Sequence, residues 1–320
     1  MRKGRNVWIA LGSLALLFAA LGLFLFGGIP GGGRGMETPS AAMAESVSPT
    51  PDTADAEETT NGTEETDMAL SLLAINVGKA DALLLRSGKT AYLIDTGTED
   101  SFEQMYRVLK AEGVEALTGV ILTHTDRDHI GGLEQLVESG MEIGTVYASA
   151  YHPKKSDKKH PAVKILKETD KDVQFIKGGD SLPMDGGTLE VLGPLEKSED
   201  KDDNNSLVIL ATGGGGSMLL AGDMEFPEEE SLLAAGAIPQ ADVLKVGNHG
   251  DDDATSDALI QAVRPKTAVI STSTAEKPST PARRVLRLLK SWNVQVLQTQ
   301  DAEKGVLVTL RNGEILTELK

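Results

Sequence analysis

The chain has 320 residues, of which 31 are Lys or Arg and 48 are Asp or Glu, so its formal net charge is -17. The absence of Cys excludes a disulfide-stapled fold, a thiolate-ligated zinc site and a cysteine nucleophile. The acidic balance excludes a broad basic surface that would coat nucleic acid regardless of its sequence. The charge is not evenly distributed, and the chain divides into three segments.

The first segment, residues 1–35, contains an apolar run with basic residues on one side. Arg2, Lys3 and Arg5 precede the 20 uncharged residues 7–26, which as a helix would span ~30 Å, the thickness of a bilayer core. The basic flank predicts an N-terminus inside the cell and the remainder outside. We predict a single-pass membrane anchor; the alternative is a cleaved signal segment on a secreted protein, and both export the remainder.

The second segment, residues 36–67, is acidic and contains neither Lys nor Arg. Its remaining residues are mainly Thr, Ala, Ser and Pro, which cannot bury enough apolar surface to offset the entropy of the chain. We therefore predict a disordered linker that like charges keep extended. Residues 68–320 form the third segment, one large domain that is acidic in its own right.

In chain order, the third segment opens with strands and later alternates strands with helices. Predicted strands cover residues 71–77, 82–86, 90–95, 119–123, 142–147, 189–192, 206–212, 217–221, 241–246, 267–271, 294–298, 305–310 and 314–319. Predicted helices cover residues 101–112, 130–139, 227–235, 254–263 and 281–292. A hairpin turn is predicted at 213–216 and a polar loop at 151–161. Two mixed sheets packed face to face, with helices outside, would satisfy this pattern.

Candidate ligands are concentrated at the strand-to-helix junction 123–132. Two imidazoles, His124 and His129, and two carboxylates, Asp126 and Asp128, lie within six positions. These side chains suit Zn, Mn or Fe. Because alternate positions of an extended chain share a face, His124 and Asp126 could bind one ion, and Asp128 and His129 the same ion or a second. The alternative is a charged loop with helix-capping Asp and solvated His.

Further candidates follow other predicted strands. Asp95 could orient a metal-binding histidine by accepting its second N–H, Asp223 could bridge two cations, and His249 follows a later strand. These residues lie at the same ends of successive strands, where α/β folds place their sites. Gly131 and Gly132 are expected to let the backbone turn tightly into the next helix.

Together these residues resemble the metallo-β-lactamase superfamily, whose general pattern is His-x-His-x-Asp-His. Asp126 stands where that pattern has its second His, a substitution that resembles the ComEC-like domains of DNA-uptake (competence) proteins. Other features similar to that branch are Asn204-Asn205-Ser206-Leu207-Val208, Leu244-Lys245-Val246 with Asn248-His249-Gly250, and Thr255-Ser256. The resemblance covers about residues 72–310.

The resemblance implies an α/β fold, an αβ/βα four-layer sandwich with two mixed β-sheets. It also implies a metal-dependent hydrolase of phosphodiester bonds in which one or two divalent ions, Zn or Mn, activate a hydroxide. By position, His124 and Asp126 would hold one metal, Asp128 and His129 the other, and Asp223 would bridge.

The resemblance leaves the role of His249 open between metal ligand and general acid. The candidate metal ligands are thus His124, Asp126, Asp128, His129, Asp223 and His249, and the candidate catalytic residues are Asp128, His249 and Asp95.

Two positions depart from the branch, which usually has His-His-Gly at Asn248-His249-Gly250 and Gly-His-Pro at Ser279-Thr280-Pro281. Two functions therefore remain open. One is a membrane-tethered, extracytoplasmic hydrolase of nucleic acid or another phosphodiester. The other is a non-catalytic or weakly active binding module, degenerate at Asn248 and Thr280.

A β-lactamase is disfavoured, because Asp126 departs from the superfamily's ligand set and no Cys is present as a ligand. His152 and His160 lie in the Lys-rich loop 151–161, for which we expect a solvated surface. Contact with a polyanionic substrate is the alternative for that loop.

Overall fold

The computed structural model of the chain describes residues 68–320. The predicted membrane anchor, at 7–26, and the predicted acidic linker, at 36–67, lie outside the described residues. None of the helices between residues 68 and 320 combines the length and the apolar character needed to cross a bilayer.

Strands in the described residues form a sheet of eight and a sheet of seven. In chain order the strands are β1 (Leu70–Ile75), β2 (Leu83–Ser87), β3 (Thr90–Ile94), β4 (Ala116–Leu122), β5 (Glu142–Ser149), β6 (Val173–Ile176), β7 (Ser181–Leu182), β8 (Gly187–Gly193), β9 (Val208–Gly213), β10 (Gly216–Leu220), β11 (Val243–Lys245), β12 (Thr267–Ile270), β13 (Gln295–Gln298), β14 (Gly305–Arg311) and β15 (Glu314–Leu319). The first sheet has the order β15-β14-β1-β2-β3-β4-β5-β6, and the second has the order β13-β12-β11-β10-β9-β8-β7.

Helices cover the outer faces of the two sheets. They are α1 (Phe102–Ala111), α2 (Arg127–Ile130), α3 (Leu133–Glu138), α4 (Pro161–Ile165), α5 (Phe226–Ala234), α6 (Asp257–Val263) and α7 (Arg283–Ser291). Residues of α1, α3 and α4 pack on the first sheet, residues of α5, α6 and α7 pack on the second, and a third apolar cluster fills the space between the sheets. The predicted αβ/βα four-layer sandwich is confirmed.

Strand β1 shows how an almost continuous apolar sequence produces this layering. Successive side chains of a strand point to opposite faces. Leu72 and Ala74 pack between the two sheets, whereas Leu73 and Ile75 pack under the helices of the first sheet. A strand that is buried on both faces needs apolar residues at odd and even positions alike, which is why β1 lacks a polar face.

Both sheets are mixed, and each has a parallel half. Strands β3, β4, β5 and β6 are parallel neighbours in the first sheet, and β10, β11, β12 and β13 are parallel neighbours in the second. Because parallel strands end at the same edge of a sheet, the segments that follow them are gathered together. The candidate ligands lie in these segments.

Differences from the predicted elements are confined to short pieces. Strands β6 and β7 and helix α4 were not predicted, and the predicted helix 130–139 is two short helices separated by Gly131 and Gly132. These two glycines have ordinary helical φ values of -61° and -84°. Glycine is needed here because the backbone is closely packed: a Cβ at Gly132 would collide with the carbonyl of Thr96.

Candidate metal centre

Segments from both sheets meet in one buried cluster. Asp95 follows β3, His124 and His129 follow β4, Asp223 follows β10, and His249 follows β11. All five side chains are buried. The structure therefore brings together five of the residues that the sequence analysis singled out, although they are spread over more than half of the domain.

Asp95 fixes the orientation of His129. Its Oδ2 atom lies 2.8 Å from Nδ1 of His129, and the carboxylate also accepts hydrogen bonds from the backbone N–H and the hydroxyl of Thr123, at 2.8 and 2.7 Å. In the neutral imidazole, a carboxylate partner keeps the proton on Nδ1, so that Nε2 is the nitrogen whose lone pair faces the cluster. This is the contact that the predicted orienting role of Asp95 requires.

The hydroxyl groups beside His124 set its orientation in a similar way. Nδ1 of His124 lies 3.1 Å from Oγ1 of Thr123 and 3.2 Å from Oγ of Ser206. Because Thr123 donates its single hydroxyl proton to Asp95, it can only accept a hydrogen bond from His124. The proton of His124 is therefore on Nδ1, and Nε2 is left as an acceptor.

His249 is oriented by a backbone carbonyl. Its Nδ1 donates to the carbonyl of Ser271 at 3.0 Å, which in the neutral imidazole leaves Nε2 as the acceptor. The backbone of His249 has φ of 52°, and Asn248 and Asp95 have φ of 42° and 59°. Such left-handed conformations are uncommon for residues other than glycine and concentrate at functional sites.

The three imidazoles converge on two carboxylates. Nε2 of His129 and Nε2 of His249 lie 3.2 and 3.3 Å from Oδ2 of Asp223. Nε2 of His249 also lies 3.5 Å from Oδ2 of Asp128. The ring centroids of His124 and His129 are 4.1 Å apart. In this arrangement Asp223 lies between two histidines, consistent with a bridging position.

Unpaired buried atoms show that these residues fit a divalent cation. Nε2 of His124, His129 and His249 and Oδ1 of Asp223 are buried without a hydrogen-bond partner among the described residues. Leaving one such group unpaired costs ~1–3 kcal/mol. Imidazole nitrogen and carboxylate oxygen together suit Zn, Mn or Fe, so coordination of a cation would satisfy all four atoms.

The carboxylates control the charge of the histidines. Burial opposes the charged form of His129, but Asp223 and Asp95 outweigh it and raise its pKa well above the usual value. Burial and the neighbouring His129 lower the pKa of His124 to about 3. His124 is therefore neutral at physiological pH, whereas a cation that binds His129 displaces a proton.

Asp126 and Asp128 lie at the solvent side of the cluster. The side chain of Asp126 is 52% exposed, and its Oδ2 is 4.0 Å from Nε2 of His124. Asp128 forms an ion pair with Lys79, whose Nζ lies 2.8 Å from Oδ2. Burial raises the pKa of Asp128, but the neighbouring His249, His129 and Lys79 outweigh it and hold the pKa below the usual range.

Four residues of this region were missed in the sequence analysis as members of the site. Asp203 has Oδ1 3.8 Å from Nε2 of His124, and burial together with Asp223 raises the pKa of Asp203 to about 7. Asp81 offers an oxygen within 4.8 Å of ligand atoms of Asp223 and His249. Asp81 and Asp203 lie in loops whose sequences carry no metal-binding pattern. The other two of the four missed residues are Lys79 and Lys245, which pair with Asp128 and Asp81.

The two positions that depart from the ComEC-like pattern have different surroundings. The amide of Asn248 donates to Glu225 and to Asp253, each at 3.3 Å, so its side chain belongs to a polar network and not to the histidine cluster. Thr280 is fully buried, and its hydroxyl has no hydrogen-bond partner among the described residues.

The histidines of the Lys-rich loop differ from the expected solvated surface. His152 and His160 are buried and pack on Phe175, with ring centroids 5.6 and 5.4 Å away. Nδ1 of His160 accepts a hydrogen bond from the backbone N–H of Ala162 and caps α4. The loop was predicted to be exposed because it is polar, but its two imidazoles anchor it while its lysines remain exposed.

Comparison with known proteins assigns the family. A family model described as the metallo-beta-lactamase superfamily matches residues 75–274, which is more than half of the chain. The chain belongs to the metallo-beta-lactamase superfamily. Among solved structures, the metallo-beta-lactamase fold protein YhfI from Bacillus subtilis superposes with a TM-score of 0.50 at 14% identity, covering 76% of this chain and 99% of that one. That likeness concerns the fold.

Two curated relatives are named for competence or for a com operon. ComE operon protein 3 of Bacillus subtilis (strain 168) is 30% identical over 243 residues, which cover 70% of this chain and 31% of that protein. Competence protein ComA of Neisseria gonorrhoeae is 26% identical over 231 residues, which cover 70% of this chain and 30% of that protein. The chain spans about a third of the length of these relatives. The predicted resemblance to the competence-related branch is confirmed.

Family membership and the His/Asp cluster together support a metal-dependent hydrolase as the general activity of the domain. The superfamily fold implies binding of a divalent metal.

Proposed function

We propose that the domain hydrolyses phosphodiester bonds, with nucleic acid as the substrate. The observation that carries the proposal is the convergence of three buried, unpaired imidazole nitrogens on Asp223. The competence-related names of the relatives support nucleic acid as the substrate class, since competence is the uptake of DNA.

The strongest candidates for metal ligands are the residues whose buried polar atoms have no hydrogen-bond partner among the described residues. His124, His129 and Asp223 would hold one divalent ion. His249, whose Nε2 lies 3.3 Å from Asp223 and 3.5 Å from Asp128, would hold a second with these carboxylates. A bound cation would supply Lewis acidity and stabilise the charge of a phosphoryl transition state.

The chain's own residues prepare the site for such a substrate. Asp95 holds His129 in one orientation, and Ser271 does the same for His249. Lys79 lies beside Asp128 at the solvent side, where its ammonium group can attract a phosphate oxygen into the cleft. His249 is placed either to bind a cation or to give a proton to the leaving oxygen, depending on whether Nε2 is coordinated.

The test is hydrolysis by the purified full chain, treated with a chelator and then supplied with Mn²⁺ or Zn²⁺. We expect cleavage of labelled single-stranded DNA, RNA or bis(p-nitrophenyl) phosphate, and a loss of at least ~100-fold in Asp128→Ala. Asp100→Ala, which removes an exposed carboxylate that belongs to none of the candidate metal-binding groups, is the control and should keep full activity. No hydrolysis of any phosphodiester with either metal would overturn the proposal.

A non-catalytic binding module is the second candidate, and one observation favours it. Asn248 occupies a position where the related branch has His, and its amide is engaged by Glu225 and Asp253 outside the cluster. In this case the domain would bind nucleic acid without cleaving it, and Asp128→Ala would leave binding unchanged. Rapid hydrolysis of the β-lactam nitrocefin would instead indicate a β-lactamase.

We further propose that residues 7–26 anchor the domain on the outer side of the membrane, and that residues 36–67 hold it away from the surface. A C-terminal epitope on the full chain should sediment with membranes and be cut by protease added outside intact spheroplasts. Protection of the epitope until the cells are lysed would contradict this orientation.

A further inference from the structure

A cluster of exposed lysines lies on an otherwise acidic domain. The basic surface consists of residues in the segment after β5 and in α4: Lys154, Lys155, Lys158, Lys159 and Lys164. All five side chains are exposed. Among residues 68–320, no carboxylate lies within 4.0 Å of any of these five ammonium groups, whereas Lys79, Lys201, Lys245, Lys266 and Lys277 are all ion-paired. With Asp157 and Glu134 as the carboxylates beside five lysines, the basic surface keeps a net positive charge.

Four of these lysines line an open concavity of about 730 Å³. Lys154, Lys155, Lys159 and Lys164 contribute four ammonium groups, and Glu134 is the single carboxylate among the lining residues. Pro153, Pro161 and Ile165 complete the lining. A concave surface with this composition is complementary to a chain of closely spaced negative charges.

Buried aromatic side chains anchor the backbone beneath the basic surface. His152 and His160 bury their rings 5.1 Å apart and against Phe175, and the helix that carries Lys164 is capped by His160. The anchored rings fix the backbone from which the lysines project. This anchoring lowers the conformational entropy that binding an anion here would cost.

The basic surface lies on the same edge of the first sheet as the metal centre. Strand β5 is the parallel neighbour of β4, and the carboxyl end of β4 leads directly to His124. Glu134, which lines the concavity, is five residues beyond His129 along the chain. The concavity and the histidine cluster therefore lie at the same edge of the first sheet.

We propose that the basic surface is a docking site for the phosphate backbone of single-stranded nucleic acid. The inference rests on the proposed function for the choice of nucleic acid as the polyanion. Single-stranded nucleic acid is the occupant because its successive phosphates match several unpaired ammonium groups, and because no broad basic face is available to hold a duplex on this acidic domain.

The test measures binding without hydrolysis. The full chain is titrated onto fluorescently labelled single-stranded DNA in chelator, at several salt concentrations, as Lys154→Gln/Lys155→Gln/Lys159→Gln and as wild type. Each phosphate contact contributes ~0.7 to the slope of log affinity against log salt concentration. We expect the slope of the triple variant to be smaller by about two, with weaker binding at low salt.

A matched control removes three positive charges from the opposite outer layer. Arg283→Gln/Arg287→Gln/Lys290→Gln changes the exposed face of α7, which covers the second sheet, and its slope should equal that of the wild type. Equal slopes for all three proteins, or equally tight binding of poly-L-glutamate, would overturn the docking site. Because no bond is cleaved in this assay, loss of the proposed hydrolysis with retained lysine-dependent binding would leave the docking site standing.

Discussion

Asp95 accepts three hydrogen bonds from two residues, Thr123 and His129, and takes a left-handed backbone conformation to do so. Its carboxylate does not need to touch a cation to affect one. By fixing the imidazole of His129, it sets the direction and the basicity of the nitrogen that faces the cluster.

The variant Asp95→Asn tests this role. The amide keeps the size of the side chain but loses the negative charge that holds the proton on Nδ1 of His129. We expect metal affinity to fall by about 10- to 100-fold, measured by titration calorimetry with Mn²⁺ or Zn²⁺. Thr123→Val, which removes a neighbouring hydroxyl and keeps the carboxylate, should have the smaller effect, and equal losses in the two variants would contradict an orienting role.

Some residues of the candidate metal centre can be recognised from the sequence and others cannot. His124, Asp128, His129, Asp223 and His249 are recognisable because each follows a strand and four ligands crowd one junction. Asp203 is not recognisable, because it lies in an acidic loop, 199–203, where any carboxylate looks like a solvated one. Its proximity to His124 depends on the tertiary approach of that loop.

At the scale of elements, a buried ion pair joins the two sheets. Lys245 at the end of β11 is fully buried, and its Nζ lies 2.7 Å from Oδ2 of Asp81, in the segment between β1 and β2. Burial opposes the charged form of Asp81, but Lys245 together with His249 and His129 outweighs it and holds the pKa of Asp81 below its usual value. The pair fixes the segment that borders the metal centre.

Removing one partner of this pair should be costly. Lys245→Met leaves an unpaired buried carboxylate, and we expect the free energy of unfolding to fall by about 3–5 kcal/mol, measured by urea unfolding with circular dichroism. In Asp81→Asn/Lys245→Met no charge remains buried, so part of the loss should be recovered. Destabilisation of the double variant by the sum of the two single variants would contradict the ion pair.

His160 should make the stability of the domain depend on pH. Burial and the nearby His152 lower its pKa from 6.5 to about 4, so below pH 6.5 the unfolded chain binds more protons than the folded one. The contribution of neutral His160 to the free energy of unfolding is therefore complete above pH 6.5. It is lost as the pH falls, by roughly 2 kcal/mol between pH 7 and pH 5. The measurement is urea unfolding at the two values of pH.

The matched variant is His160→Asn, since asparagine can also accept the hydrogen bond that caps α4 but does not titrate. The loss between pH 7 and pH 5 should be smaller in this variant by roughly 2 kcal/mol. An unchanged loss would show that His160 is not the group responsible.

Most elements are predictable because their sequences show either strong apolar periodicity or an almost continuous apolar run. Strand β1, for example, is apolar on both faces. Strands β6 and β7 escape prediction because they have four and two residues and gain their order from pairing with β5 and β8. Helix α4 escapes because its cap is a histidine, which is not a usual capping residue.

At the scale of the whole molecule, the net charge of -17 hides a spatial separation of acidic and basic side chains. Carboxylates concentrate at the histidine cluster, where a cation would reverse the local sign, while unpaired lysines concentrate on the basic surface. Composition alone excludes a broad DNA-coating face, but it cannot show this separation, because the separation depends on which loops the fold places at one edge.

The central claim is that the His/Asp cluster binds a divalent cation. The direct measurement is the metal content of the full chain by elemental analysis after dialysis against Mn²⁺ or Zn²⁺ and removal of free ions. We expect one or two ions per chain in the wild type, by the stoichiometry of such hydrolase sites, and almost none in His129→Ala/His249→Ala. A folded wild-type chain that retains neither metal would contradict the claim and leave the binding module as the remaining function.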